Sequence, residues 1–247
     1  MAQAIYEDPT VESEVNLISS KTLHLADYPI SLYRSSRSAP PVETWRYQIV
    51  KRGIDFVTSS ILILVFAIPG ILIAAIIALT SEGPVFYREE RIGRGGLPFR
   101  IWKFRSMHTN FNHLAHIAEV HPSGKVLEWR MRKHLRDPRI TGIGRFLRSW
   151  SLDELPQLLN VLRGEMSLVG PRPIVEAETV FYGDHLRYYL AAMPGLSGLW
   201  QVSGRSHVDY DKRVRLDASY VRSWSLKADF QILLRTVPAV LGRKGAR

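Results

Sequence analysis

Between Phe56 and Ser81 the chain carries no charged residue, and Ile61-Leu62-Ile63-Leu64-Val65-Phe66-Ala67-Ile68-Pro69-Gly70-Ile71-Leu72-Ile73-Ala74-Ala75-Ile76-Ile77-Ala78-Leu79 is apolar throughout. About 20 such residues cross a hydrocarbon core about 30 Å thick, so the stretch reads as a membrane segment. Pro69-Gly70 falls near its middle, where a proline removes one intrahelical hydrogen bond and sets a kink. A break there leaves two legs, each about 20 Å long and too short to span alone. Arg46, Lys51 and Arg52 precede the segment and Arg88, Arg91 and Arg94 follow it, so neither flank favours export. A hairpin that enters and leaves one leaflet and a kinked helix that crosses both are equally compatible with these residues.

The rest of the chain is ordinary in apolar content, at 46% hydrophobic residues in 247, but its formal net charge of +10 is not ordinary. Such a charge implies a polyanionic partner: nucleic acid, an anionic membrane face or a phosphorylated substrate. The absence of cysteine excludes a disulfide framework and a thiolate nucleophile. Acids at Glu7 and Asp8, with no apolar run behind them, argue against a cleavable signal. Residues 1–42 are polar and Pro/Ser-rich and read as a disordered or loosely attached tail, 43–82 as the membrane unit, and 83–247 as a domain on the membrane surface.

After the membrane unit, Pro84 to Ile92 and Phe99 to Met107 are two short β-rich runs around Gly93-Arg94-Gly95-Gly96, which predicts a hairpin. Alternation puts Lys103 and Arg105 on one face, either as the charged edge of a strand or as cations lining a site. His108, His113, His116 and His121 crowd the next stretch without a carboxylate or cysteine at ligand spacing, so no metal site is expected there. Residues 108–138 read as a solvated insertion. Arg139, Arg145 and Arg148, interleaved with Ile143, Phe146, Leu147 and Trp150, predict a basic amphipathic helix suited to a membrane interface.

The run Ser151-Leu152-Asp153-Glu154-Leu155-Pro156-Gln157-Leu158-Leu159-Asn160-Val161-Leu162-Arg163-Gly164 predicts a short helix ended by Gly164, with Leu155, Leu158, Leu159 and Leu162 on one face. Pro156 is tolerated only in a first turn, which places Asp153 and Glu154 at the helix N-terminus. Two readings of this acid pair compete. Ser151 and Glu154 fit a capping box, in which the acids only complement the helix dipole. Alternatively, with Arg148 five residues before and Arg172 fixed between Pro171 and Pro173 beyond, the pair faces the guanidinium forks that a phosphate group needs.

An apolar strand is expected after Gly164 and a helix from Ile174 to Tyr189. Pro194 to Arg205 reads as a glycine-punctuated loop offering Trp200, Gln201 and Arg205, and helices follow from Val208. Asp217, Tyr220, Trp224 and Asp229 are assigned to packing and capping. Phosphoryl transfer at a membrane surface suits the whole, with an aspartate nucleophile and an adjacent acid able to hold Mg²⁺. A non-enzymatic membrane adaptor with a basic face is the competing class. Nucleic acid is not expected as a partner, because no recognition motif is visible.

Lys103-Phe104-Arg105-Ser106-Met107, the run Ser151 to Gly164, Gly170-Pro171-Arg172-Pro173, and Pro194-Gly195-Leu196 through Gly204-Arg205 resemble, in order, the small monotopic phosphoglycosyl transferases among the bacterial sugar transferases. The resemblance runs from about Lys51 to the C-terminus. It implies an α+β, mainly helical, monotopic membrane protein with a re-entrant helix broken at Pro69, a small β-hairpin and amphipathic interfacial helices at the cytoplasmic face of the bacterial inner membrane. It further implies transfer of a sugar-1-phosphate from a UDP-sugar to undecaprenyl phosphate, with Asp153 as nucleophile and Glu154 as Mg²⁺ ligand. Arg148, Arg172, Pro171 and Pro173 match phosphate- and nucleotide-holding positions, and Lys103, Arg105, Gln201 and Arg205 match site-lining ones. One departure is Ile68, where the family often has serine before the proline; the missing hydroxyl leaves the break to Pro69, Gly70 and protein contacts. The length between Met107 and Asp137 and the C-terminal tail point to UDP-galactose or UDP-glucose in exopolysaccharide synthesis, with N-acetylated sugars as the alternative. A homodimer is one option for the assembly.

Overall fold

The computed structural model describes residues 42, 44–109, 137, 139–204 and 208–242. Their elements are mostly helical, with two small β pairs, an α+β arrangement. The expectations for residues 1–41, for His113, His116 and His121 and for Arg205 lie outside the described residues.

A wide helical turn at Arg46–Lys51 leads into α1 (Arg52–Val65), and α2 (Ala67–Thr80) follows at a 60° bend. The bend lies at Phe66, three residues before Pro69. The cause is still the proline, which has no N–H for the Val65 carbonyl one turn back and whose ring crowds it. Gly70 resumes the ladder by donating to Phe66 O at 2.8 Å. No single helix among the described residues is long and apolar enough to cross a membrane, but Tyr47–Val65 and Ala67–Thr80 together are.

Three polar residues tie the base of α1 to the rest. Lys51 Nζ donates to Asp229 Oδ2 at 2.7 Å, Arg52 donates to the carbonyls of Val161 and Leu162 at 2.5 and 2.6 Å, and Asp55 accepts from the Leu168 N–H at 3.1 Å. At the far end of the pair Arg105, buried to 4% exposure, donates to Ser81 O at 2.6 Å and Pro84 O at 2.5 Å. These are carbonyls of the segment that leaves α2, which Arg105 ties to the end of that helix.

The expected hairpin is present: β1 (Phe86–Ile92) pairs antiparallel with β2 (Pro98–Phe104), Arg88 opposite Trp102 and Glu89 opposite Ile101. Helix α3 (Gly142–Ser149) starts at a Thr141 side-chain cap. Ile77 of α2, Phe104 of β2 and Leu147 of α3 form one buried cluster, against which Leu152 and Leu155 pack. That cluster carries Lys103, Arg148 and Asp153 on neighbouring positions of three elements.

Beyond it, a 3₁₀ turn (Leu152–Gln157) runs into α4 (Leu158–Arg163), which Gly164 ends in the left-handed region at φ 82°. Then β3 (Ser167–Val169) pairs in parallel with β4 (Gly195–Ser197). The single helix expected from Ile174 to Tyr189 is instead two 3₁₀ turns, Glu176–Phe181 and Gly183–His185, followed by α5 (Leu186–Ala191). Gly183, at φ 46°, marks the interruption. The loop expected after Pro194 contains β4 and the short α6 (Leu199–Val202). As expected, α7 (Tyr210–Arg222) and α8 (Leu226–Leu241) close the chain.

Asp229, Tyr220 and Trp224 form the packed polar knot expected of them: Tyr220 OH and Trp224 Nε1 donate to Asp229 at 2.7 and 3.0 Å, on the carboxylate that also receives Lys51.

Candidate active site

The acid pair is not a capping box. Ser151 sits in the left-handed region at φ 56° with no side-chain cap bond, and the turn it opens is 3₁₀. The side chain of Glu154 turns to the hairpin, where Lys103 Nζ lies 3.2 Å from its Oε1. A continuous α-helix is excluded in this first stretch because Pro156 follows so closely.

Asp153 is 9% exposed. Burial, and next the charge of Glu154, push its pKa up, while Lys103 and Arg148 pull against that rise. Lys103 on β2 and Arg148 on α3 are thus the cations whose charge favours its ionised form. The strand that carries Lys103 is held by Asn160, fully buried on α4. Its Nδ2 donates to Arg100 O at 2.8 Å and to Glu165 Oε2 at 2.6 Å, while its Oδ1 accepts from the Trp102 N–H at 3.0 Å. Asn160 thus satisfies the outer edge of β2 and fixes the height of Lys103 above the 3₁₀ turn.

Beside the acid pair a pocket opens, bounded by Lys103, Glu154 and Gln157 on one side and by Arg91, Arg172, Pro173 and Gln201 on the other. Ile101 of β2 and Gly195 and Leu196 of β4 complete it. The turn bearing Arg172 lies against β4 at backbone distance: Gly195 N–H donates to Pro171 O at 2.7 Å, and a Cβ on Gly170 would stand 2.2 Å from Met193 O. Arg91 Nη1 donates to Pro173 O at 3.2 Å. Burial holds the Arg172 guanidinium below its usual pKa, and that guanidinium lies 5.7 Å from the ring centre of Trp200.

Of the residues singled out in sequence, Lys103, Glu154, Arg172, Pro173 and Gln201 meet at this pocket; Asp153 precedes Glu154 and feels the charges of Lys103 and Arg148, and Pro171 is buried. Arg105 does not: β2 ends at Phe104, and Arg105 reaches the other way, to the end of α2. Pro69 stands in the first turn of α2, just after the bend. Arg91, Gln157 and Asn160 were not foreseen. Alternation along β1 could have placed Arg91 on the same face as Glu89, but nothing local points to Gln157 or Asn160.

Two carboxylates near lysine and arginine beside a pocket make an arrangement whose charges suit an anionic phosphate group. Over residues 46–243 the chain matches the model of the bacterial sugar transferase family. It is 44% identical over 200 residues to the exopolysaccharide production protein ExoY of Rhizobium meliloti, covering 80% of this chain and 88% of that protein. It is 48% identical over 201 residues to the undecaprenyl-phosphate galactose phosphotransferase of Salmonella typhimurium, covering 81% of this chain and 42% of the longer protein. Against the UDP-glucose:undecaprenyl-phosphate glucose-1-phosphate transferase of Caulobacter vibrioides the identity is 40% over 231 residues, covering 88% of this chain and 81% of that one. The chain belongs to the bacterial sugar transferase family. It is an enzyme of the phosphoglycosyl transferase class, which sets aside the adaptor reading.

Proposed function

We propose that this protein transfers hexose-1-phosphate from UDP-galactose or UDP-glucose to undecaprenyl phosphate with release of UMP, through a phospho-aspartyl sugar intermediate, as the first membrane step of exopolysaccharide synthesis. The observation that carries it is the buried Asp153 between Glu154, Lys103 and Arg148, at the edge of a pocket rimmed by Arg91 and Arg172. The names of the relatives, which specify galactose and glucose phosphotransferases, support the substrate class.

In the first half-reaction an Asp153 carboxylate oxygen forms a bond to the β-phosphorus, and the bond from that phosphorus to the bridging oxygen breaks, so UMP leaves with the electron pair. Lys103 and Arg148 take negative charge on the phosphoryl oxygens, and Arg172 holds the nucleotide's phosphate. In the second half an oxygen of undecaprenyl phosphate attacks the same phosphorus and Asp153 leaves as a carboxylate. The residues present fit a Mg²⁺ ion held by Glu154, since such ions take one or two carboxylates and complete their shell with phosphate oxygens and water. The ion would neutralise charge on the diphosphate.

The bent pair α1–α2 is read as a re-entrant membrane hairpin at the cytoplasmic face of the inner membrane. Leu64, Ile68, Ile71, Leu72 and Leu79 are exposed on it, a patch that water would not tolerate. On α8, Phe230, Leu234, Val237 and Leu241 expose a second apolar stripe that fits an interfacial position.

The test is UMP release by detergent-purified protein with Mg²⁺ and undecaprenyl phosphate, against UDP-galactose, UDP-glucose and N-acetylated UDP-sugars, with Asp153→Asn as control. Release with one hexose donor, absent in the variant, is the expected result. Silence with every donor, or release that survives Asp153→Asn, overturns the reading.

A further inference from the structure

Two side-chain amides three residues apart are treated in opposite ways. Asn160, fully buried on α4, has both ends of its amide bonded, to Arg100 O, Glu165 Oε2 and the Trp102 N–H. Gln157, the last residue of the 3₁₀ segment that carries Asp153 and Glu154, is 3% exposed and lines the pocket. Among the described residues its amide meets no hydrogen-bond partner, and its oxygen and nitrogen are not sealed from water. Polar groups buried this deeply are otherwise paired, because an unpaired one gives up hydration for nothing in return. An amide left open at a pocket wall is placed to bond a ligand there.

We propose that Gln157 is a hexose-binding residue: its side-chain amide bonds a hydroxyl of the donor sugar beside Asp153. This rests on the UDP-hexose donor proposed above. Chemistry separates the amide from its neighbours. Arg91, Lys103 and Arg172 bring positive charge to the pocket, which suits phosphate. A neutral amide offers an N–H donor and a carbonyl acceptor, and so suits a hydroxyl, which also donates and accepts.

Position separates it from the nucleotide. Attacking and leaving oxygens lie roughly in line across the transferred phosphorus, so UMP departs on the side away from Asp153. The oxygen that carries the hexose lies beside that line, nearer to the nucleophile than the uridine is. Gln157 stands four residues after Asp153 in the same 3₁₀ segment, and between them Glu154 meets Lys103 at 3.2 Å. The amide is therefore on the wall of the pocket that carries the acid pair, where the hexose is brought by attack on the β-phosphorus.

The experiment measures equilibrium binding of UDP, UDP-galactose and UDP-glucose to the full-length protein in detergent with Mg²⁺. Asp153→Asn serves as the parent, so that the donors stay intact, and is compared with the same chain carrying Gln157→Met, with melting followed in parallel. Because the amide has no protein partner to lose, Gln157→Met is expected to melt at or above the parent's temperature. UDP is expected to bind both proteins alike, whereas the ratio of UDP-hexose to UDP affinity is expected to fall about three- to tenfold in Gln157→Met. Donors lacking one hydroxyl each locate the bond. The deoxy donor that binds the parent more weakly is expected to show no such loss in Gln157→Met. An unchanged ratio, a loss shared equally by UDP, or full additivity at every hydroxyl overturns the proposal. Where Gln157→Met fails to fold, Gln157→Asn, whose amide stops one methylene short, goes through the same comparison and an unchanged ratio again overturns it. If neither UDP nor the donors bind either protein, the donor reading falls, and the hexose contact with it.

Discussion

Lys103 Nζ lies 3.2 Å from Glu154 Oε1, so the carboxylate best placed to hold a cation is already paired across the hairpin. The pair is partly exposed, and its own contribution to stability is small. Its consequence is competition: a divalent ion reaching Glu154 must draw it from Lys103, which is then released toward the phosphate. Lys103→Gln is therefore expected to lower the turnover rate about 100-fold by removing a charge that the developing oxyanion needs. It is also expected to lower the Mg²⁺ concentration for half-maximal rate, because Glu154 is no longer paired. A Mg²⁺ titration of UMP release in both proteins checks both effects, and an unchanged half-saturation point would show that the pair does not oppose the ion.

Asp153→Asn preserves shape and removes the carboxylate proposed as nucleophile. Loss of UMP release by about four orders of magnitude is expected. Because burial already disfavours the charged form of Asp153, the amide is expected to leave the melting temperature unchanged or higher. Release assays and thermal unfolding of the same preparation separate this from a folding defect, in which both would fall.

Asn160 carries three hydrogen bonds at zero exposure, two of them to the edge of β2. Asn160→Ala strands those groups, at about 1–3 kcal/mol for each one left unpaired and buried. It also frees the strand that carries Lys103. Lower stability is expected together with a lower turnover rate, the latter persisting well below the new melting temperature. Denaturant unfolding and kinetics at low temperature test the two parts.

The acid pair, Arg172 and the hairpin were legible because each rests on a local signal: Pro156 forces a first turn, two prolines fix the backbone around Arg172, and glycines mark the tight turn between β1 and β2. Arg105 was misread for the opposite reason. Alternation places it beside Lys103 only while the strand continues, and the strand stops one residue earlier at Phe104. The capping box failed because Ser151 is carried into the left-handed region by the tight entry from α3, which no spacing rule reports. Arg91, Gln157 and Gly195 share a pocket although they come from three separate segments, so their meeting belongs to tertiary packing alone.

Arg105 also gives a clean test of that correction. Its guanidinium contacts Ser81, Ile77 and Pro84 carbonyls, a set that an ammonium cannot span. Arg105→Lys is expected to cost about 1–3 kcal/mol of stability while leaving the KM for the UDP-sugar within about twofold of wild type. A several-fold rise in KM at unchanged stability would return Arg105 to the site.

The bend at Phe66 follows from Pro69, so Pro69→Ala restores the hydrogen bond to the Val65 carbonyl and lets α1 and α2 become one helix. Merged from Tyr47 to Thr80, such a helix would be about 50 Å long, enough to cross the bilayer. Because the chain has no cysteine, single cysteines at Thr44 and Ser81 report topology without background. With Pro69 in place both sites are expected to react only from the cytoplasmic side. In Pro69→Ala one of them is expected to become reactive to an impermeant reagent from outside. Outside labelling of one site in the otherwise wild-type chain would mean that the bent pair spans the membrane rather than returning to the face it entered.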